Sequence, residues 1–227
     1  MDTAANDIEA VQGQKLSKHH LANPGPLGFG AFATTLMTLS LSMMGLRAVS
    51  NQTVFIANLC FLAGLGLLIS AQWEMVKGNT FNYTVLAAFG FYYGGYGVLL
   101  MPPLAVVDSY GGRTTEYYNA FGLKVWSILN FFFFVASLPT NMINVIIYSA
   151  LELSYIFNCM GNFFMANTDV TTGTTLVKVA GAFGFTSSLA GFYMLCHDLC
   201  QQTLPFNIPL FETSRLFSRP RYGVKSM

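Results

Sequence analysis

Three groups of residues in this chain have the types and spacing to do chemistry. The first surrounds Glu152, a carboxylate inside the apolar run "NVIIYSALELSYIFN" (144–158). A carboxyl at mid-bilayer depth is costly enough that it must face protein, water or a pathway. It reads either as a group that carries protons or shapes a site, or as a protonated glutamate hydrogen-bonded to a neighbouring helix. Leu151, Tyr155, Asn158 and Asn162 follow one another at steps of four, three and four, which puts them on one helical face. Two amides and a phenol facing lipid would be expensive, so this face points inward. It either lines a pathway or ties helices together.

The second group is "FGFYYGGYG" (89–97). Gly90, Gly94 and Gly97 form one stripe, suited to close packing of the GxxxG kind, and Phe89, Tyr93 and Tyr96 form the stripe beside it. That aromatic stripe is either packing or the wall of a cavity. The third group is "NPGPLGFGAF" (23–32). Asn23 is a good N-cap, and Pro24 and Pro26 are tolerated in a first helical turn because the missing N–H would have no partner there anyway. With Gly25 between them, the two prolines make a rigid helix entry. The free N–H groups of Leu27, Gly28 and Phe29 then point outward at the positive end of the helix dipole, where a small anion could dwell. The plain alternative is a capped helix that contains two prolines. There is no HExxH, CxxC, Walker loop, GxSxG or paired-carboxylate arrangement, and the histidines make no metal site by spacing. Neither an enzyme, nor a metal, nor a cofactor is expected.

The elements that must position these groups are membrane helices. Of 227 residues, 53% are hydrophobic and only 9% charged, against about 25% charged in a soluble domain. A net charge of +1 gives no reason to expect nucleic acid as a partner. Six stretches are long and apolar enough to cross a bilayer, roughly 27–46, 54–73, 83–101, 120–138, 142–165 and 175–198. They do not alternate as the strands of a barrel would, so the expected fold is an all-α integral membrane protein. Cys60, Cys159, Cys196 and Cys200 read as small apolar packers rather than disulfide partners. Glu74, Lys77 and Trp73 read as an interfacial anchor at the end of the second span, and His197 and Asp198 as end markers of the sixth.

Around the 23–200 transmembrane domain, residues 1–22 read as a polar N-terminal tail without an apolar secretory run, and 201–227 as a basic C-terminal tail. An even number of spans places both ends on one side. With the ends inside, seven basic residues (Lys15, Lys18, Lys77, Arg215, Arg219, Arg221, Lys225) are cytoplasmic against four outside (Arg47, Arg113, Lys124, Lys178), which favours cytoplasmic termini. The bilayer is a plasma or an organellar membrane.

"NPGPLGFGAF" resembles the NPAPLGL signature of the acetate uptake transporter family, which includes bacterial succinate–acetate permeases and fungal acetate–ammonia transporters. "EMVKGNTF" (74–81) resembles that family's E-x-x-x-GNTF segment, "LLMPP" (99–103) its third-helix end, and the likeness runs over about residues 21–205. The resemblance implies six-helix protomers in a homohexamer, each with its own pathway. It also implies a hydrophobic constriction built from a Phe, a Tyr and a Leu of helices one, three and five. Those positions fall on Phe32, Phe89 and Leu151. Phe89 departs from the Tyr of the pattern, Gly25 from its Ala, and Glu152 stands where an uncharged residue is usual.

The expected function is therefore transmembrane movement of acetate and other small monocarboxylates, with the dicarboxylate succinate as a further candidate, as an anion channel or as a proton-coupled symporter with Glu152 as carrier. Asn158 and Asn162 would hold the carboxylate beside the ring, with Tyr93, Tyr96 and Tyr155 as further lining candidates. Two other readings stand beside it: an ammonia-conducting pore with Glu152 or Asp198 outside the constriction, and a structural or signalling membrane protein that does not transport.

Overall fold

The computed structural model describes residues 22–49, 51–123, 125–201, 205–206 and 208–217. The N-terminal tail up to residue 21, and Lys124, Arg219, Arg221 and Lys225 among the basic residues, lie outside them. The described residues are mainly helical, with one isolated antiparallel bridge between Asn141 and Glu212; the main helices run in the order α1 (Gly25–Met43), a distorted second span, α3 (Thr80–Leu99), α4 (Val106–Ser109), α5 (Thr114–Gly122), α6 (Trp126–Ser137), α7 (Met142–Ala166), α8 (Val170–Cys200) and α9 (Ser214–Phe217). The second span opens with a 3₁₀ turn at Thr53–Phe55, continues as a π-helix over Asn58–Leu65 and ends as α2 (Gly66–Val76). Five segments are long and apolar enough to cross a membrane, and Thr80–Leu99 with Pro102–Ser109, bent by 67°, makes a sixth.

Several elements differ from the sequence expectation. The fourth span is broken after Gly122, so α5 and α6 share it, and the loop expected to run through Asp108 and Arg113 instead carries α4 and the start of α5. The sixth span starts at Val170 rather than near 175. Asp169 Oδ1 accepts from the Thr172 N–H at 3.0 Å and caps that earlier start. The part of the expected C-terminal tail from 208 to 217 returns as a strap. Met142 N–H donates to Phe211 O at 3.0 Å, and Thr213 Oγ1 to Leu138 O at 2.6 Å. Tyr193 OH donates to Pro209 O at 2.7 Å, and His197 Nδ1 lies 2.7 Å from Ile208 O. Leu210 packs against the core, so the strap buries an apolar residue where a purely basic tail would not.

Glycines set how closely the spans approach. Gly64 of the π-helical segment lies against Gly94, where a Cβ on Gly64 would come 3.3 Å from the Gly94 Cα, and a Cβ on Gly90 would stand 3.1 Å from the Gly64 carbonyl oxygen. The glycine stripe of α3 thus packs on the second span. Along α8, Gly184 faces Ser40 and Gly191 faces Phe32 and Ala33, which seats α8 along α1. α6 leaves Ile128, Phe131 and Phe132 exposed, as suits a helix facing lipid or a neighbouring subunit.

Candidate functional site

The face of α1 that carries Gly25, Phe29, Phe32, Leu36, Leu39 and Met43 follows the helical repeat and runs the length of the protomer. At its middle, Phe32, Phe89 and Leu151 are each buried in the same apolar cluster, at 4%, 2% and 2% exposure. The Phe32 and Phe89 rings stand 5.8 Å apart, and Phe133 closes on Phe89 at 5.9 Å. On the side toward the start of α1, Phe29, Phe32, Val85, Leu86, Phe89, Ile147 and Tyr148 enclose only about 10 Å³. That is room for one water at most.

On the other side the protein opens. A cavity of about 320 Å³ is bounded by Leu39 and Met43 of α1, Gln52, Tyr92 and Tyr96, Phe121, and Asn158 and Asn162 of α7. A side recess of about 20 Å³ adds Trp126 and Tyr155 to Tyr92, Asn158 and Asn162. Tyr96 OH donates to Gln52 Oε1 at 2.5 Å, and Asn162 Nδ2 donates to Asn158 O at 2.8 Å and Asn158 Oδ1 at 2.9 Å. The amides and phenol spaced along α7 are therefore gathered with Tyr96 at one vestibule. Tyr93 is buried away from it, packed on Phe89 and Tyr92. Sequence spacing did not select Tyr92, although it lies three residues after Phe89 and four before Tyr96, on the same face. Gln52, in the connection after α1, carries no such signal.

Glu152 lies apart from these cavities. Its Oε1 accepts from the Ser127 hydroxyl and its Oε2 from Asn130 Nδ2 at 2.8 Å, while the same Asn130 nitrogen reaches Tyr148 O at 3.0 Å. The carboxylate ties α7 to α6. One residue past Leu151 is a turn of about 100°, which carries the side chain off the ring's face.

The start of α1 is built differently from a simple Asn cap. The helix begins at Gly25, with Pro24 in the cap position, and Asn23 Oδ1 accepts the Gly25 N–H at 3.1 Å. Pro26, grouped by sequence with the anion entry, is the second helical residue and is half-buried. It has no N–H to offer an anion, so its part in the entry is to fix the backbone of the first turn. Gly28 N–H, expected to point outward, is engaged by Pro24 O at 3.3 Å, and Leu27 is half-exposed. The motif "EMVKGNTF" folds onto the same place. Glu74, expected as an exposed anchor, is 2% exposed and accepts from Asn79 Nδ2 at 2.6 Å and Asn82 Nδ2 at 3.4 Å. Lys77 Nζ stands 3.6 Å from Glu74 Oε1 and 3.5 Å from Asn23 Oδ1, and Ser70 Oγ donates to Pro24 O at 2.8 Å. Burial is possible because each carboxylate oxygen has a partner. The two sequence motifs are thus halves of one polar knot joining the start of α1, the end of α2 and the start of α3. Asp198, at the end of α8, completes it: its carboxylate occupies the space that a side chain on Gly25 would need, beside Asn23.

Comparison with known proteins agrees with this architecture. The model of the GPR1/FUN34/yaaH family matches residues 8–214. An acetate transporter protein, patA, of Aspergillus clavatus is 38% identical over 203 residues, covering 88% of this chain and 82% of the relative. Its counterpart in Penicillium expansum is 37% identical, with 88% and 81% covered. The ammonia transport outward protein 2 of Saccharomyces cerevisiae is 26% identical, with 85% and 70% covered. Among solved structures, the bacterial acetate channel SatP superposes with a TM-score of 0.67 at 23% identity, over 82% of this chain and 99% of that one. The chain is a membrane protein of the GPR1/FUN34/yaaH family, whose relatives named above are transporters or channels.

Proposed function

We propose that this chain conducts acetate and other small monocarboxylate anions through a pathway inside each protomer, with the ring of Phe32, Phe89 and Leu151 as its gate. One observation carries the reading: a vestibule of about 320 Å³, lined by amides and phenols, is bounded by Leu39 and Met43 on the same α1 face that carries Phe32 of the close-packed apolar ring. With a pKa near that of a glutamate side chain, about 4.3, only about two acetate molecules per thousand are uncharged at neutral pH, so the anion is what needs a path. Asn158 Oδ1 is held by Asn162, which leaves the Asn158 N–H groups to meet the carboxylate in the vestibule. The methyl group faces the ring. Acetate is larger than the single water that the space beyond accommodates, so passage requires the ring to widen, and an unwidened ring blocks ions by staying dry.

Glu152 has both oxygens engaged between α6 and α7, which favours an anion channel over a symporter that uses this residue as carrier. The protomers assemble as homohexamers, as the family resemblance implies. The termini are cytoplasmic, in keeping with the distribution of Lys and Arg, and the host is a plasma or organellar membrane. No catalytic step is assigned to any residue. The ammonia reading is favoured by one feature, the Asp198 carboxylate at the α1 mouth, where a cation would be attracted. Entry of labelled acetate into liposomes holding the purified protein, with an imposed voltage and no pH gradient, decides among these. Entry that follows the voltage supports the anion channel, entry only with a proton gradient supports symport, and ammonia flux without acetate flux supports the second reading.

A further inference from the structure

We propose that Asp198 is a valence filter at the α1 mouth, admitting monoanions and holding back dianions, and that glycine at position 25 is what gives its carboxylate this position. The proposal rests on the transport reading above. Its first support is placement. Gly25 precedes Phe29 by four residues and Phe32 by seven, so all three share the α1 face that runs into the ring. Asp198 follows Gly191 by seven residues on α8, and Gly191 is in contact with Phe32. The two helices thus carry Asp198 to the outer end of the same face, about 6 Å along the axis from Phe29 and about 10 Å from Phe32.

The second support is steric. A methyl group at position 25 would overlap Asp198 Oδ2, and Asn23 Oδ1 would lie 3.2 Å from it. With glycine there, the carboxylate lies directly against the backbone at the first turn of α1. The N-terminus of that helix is the attractive place for a passing anion, and in this chain it is already filled by one of its own.

The third support is the charge around it. Among the described residues, Glu74 at the end of α2, Lys77 just after it and the adjacent His197 are the charged or titratable groups that act on Asp198. Lys77 stands 3.6 Å from Glu74, and those two charges offset each other. Asn23, beside it, carries no charge. Among the described residues, the pairing of Glu74 with Lys77 leaves Asp198 as the negative charge at the mouth. A substrate with two charges meets twice the repulsion of a substrate with one. At a separation of about 6 Å and an effective dielectric constant of about 40, each additional substrate charge is held back about tenfold, and salt reduces this to about threefold.

The test uses the full chain in liposomes at pH 8, where both carboxyl groups of succinate are ionised, with no imposed potential so that valence enters only through the protein. Entry of labelled succinate and labelled acetate is measured in the same vesicles. Asp198→Asn is expected to raise the succinate-to-acetate ratio by about three- to tenfold. Gly25→Ala, which keeps the charge but displaces it, should raise the ratio in the same direction by a smaller factor. In the wild type the ratio should climb with ionic strength, and in Asp198→Asn it should be flat; a merely structural role for Asp198 would not produce that difference. A ratio unchanged in both variants, or a wild-type ratio that ignores salt, with acetate still entering, overturns the filter. If Asp198→Asn fails to fold, Gly25→Ala and the wild-type salt series decide. Absence of acetate entry in the wild type would instead overturn the transport reading on which the filter rests.

Discussion

Replacing Glu152 by Gln separates the two roles that a carboxylate inside a transmembrane helix can have. In the folded protein Glu152 accepts one hydrogen bond from the Ser127 hydroxyl and one from Asn130 Nδ2 at 2.8 Å. A glutamine keeps one acceptor oxygen and turns an amide N–H₂ toward the other donor. With its oxygen toward Asn130 and its N–H₂ toward the Ser127 hydroxyl, which turns to accept, both charge-assisted bonds become ordinary ones. Hydrogen bonds to charged groups contribute about 1.5–3 kcal/mol and neutral ones about 0.5–1.5, so the variant should lose about 2–4 kcal/mol. Asn130 keeps its bond to Tyr148 O, which limits the damage to the α6–α7 contact. For a chain of this size the loss corresponds to a melting temperature lower by roughly 4–16 °C. The assays are thermal unfolding of the purified protein in detergent and acetate entry into liposomes over a range of external pH. The expected result is a lower melting temperature with the pH profile of acetate entry unchanged. An unchanged melting temperature together with a lost pH dependence would refute the assignment of Glu152 as a structural tie and make it the proton carrier of a symporter.

Phe32→Ala removes one wall of a ring whose aromatic members stand 5.8 Å apart, and should raise lactate entry relative to acetate in the same liposome assay; an unchanged ratio would tell against the ring as the selective element. Glu74→Ala strips partners from Asn79, Asn82 and Lys77 in the knot at the start of α1 and should cost about 2–4 kcal/mol, read as a lower melting temperature. A melting temperature within a degree of wild type would mean that the knot contributes little. Gly90→Leu places a branched side chain where a Cβ alone would stand 3.0 Å from the Leu68 side chain and 3.1 Å from the Gly64 carbonyl oxygen. Overpacking there should cost about 1–3 kcal/mol and lower the yield of folded protein on size exclusion, whereas Gly95→Leu, with nothing within 4 Å of its Cβ, should not.

What could be read from the sequence was whatever a single helix displays. Steps of three and four along α7 bring Asn158 and Asn162 to one vestibule, and the glycine steps along α3 find the close contact with the second span. Membrane class followed from hydropathy, and the assignment of Phe32, Phe89 and Leu151 to one place came through the family motifs. Partners far apart in sequence were not legible. Glu152 is met by residues 22 and 25 positions earlier on another helix, Glu74 by amides across the turn into α3, and Gly25 by Asp198 from the far end of the chain. Hydropathy alone therefore placed Glu74 at an exposed interface, because a pattern of residue types does not record which amides will arrive to satisfy a carboxylate.

Those amides bear on conduction as well as on stability. Glu152 has Asn130 and Ser127, Glu74 has Asn79, Asn82 and Lys77, and Asp198 lies against Gly25 at the first turn of α1. The carboxylates of Glu152 and Glu74 are met by the chain's own donors at helix junctions, and that of Asp198 lies at the mouth. Among the described residues that line the vestibule and the small space beyond the ring, none is charged. A fixed cation on the path would bind acetate strongly and release it slowly, and a fixed anion at the ring would exclude it. Conduction requires sites that are attractive enough to enter and weak enough to leave. On the proposed pathway, neutral amides and phenols before an apolar ring meet both requirements for a small monoanion, with selection by charge proposed at the mouth and selection by size at the gate.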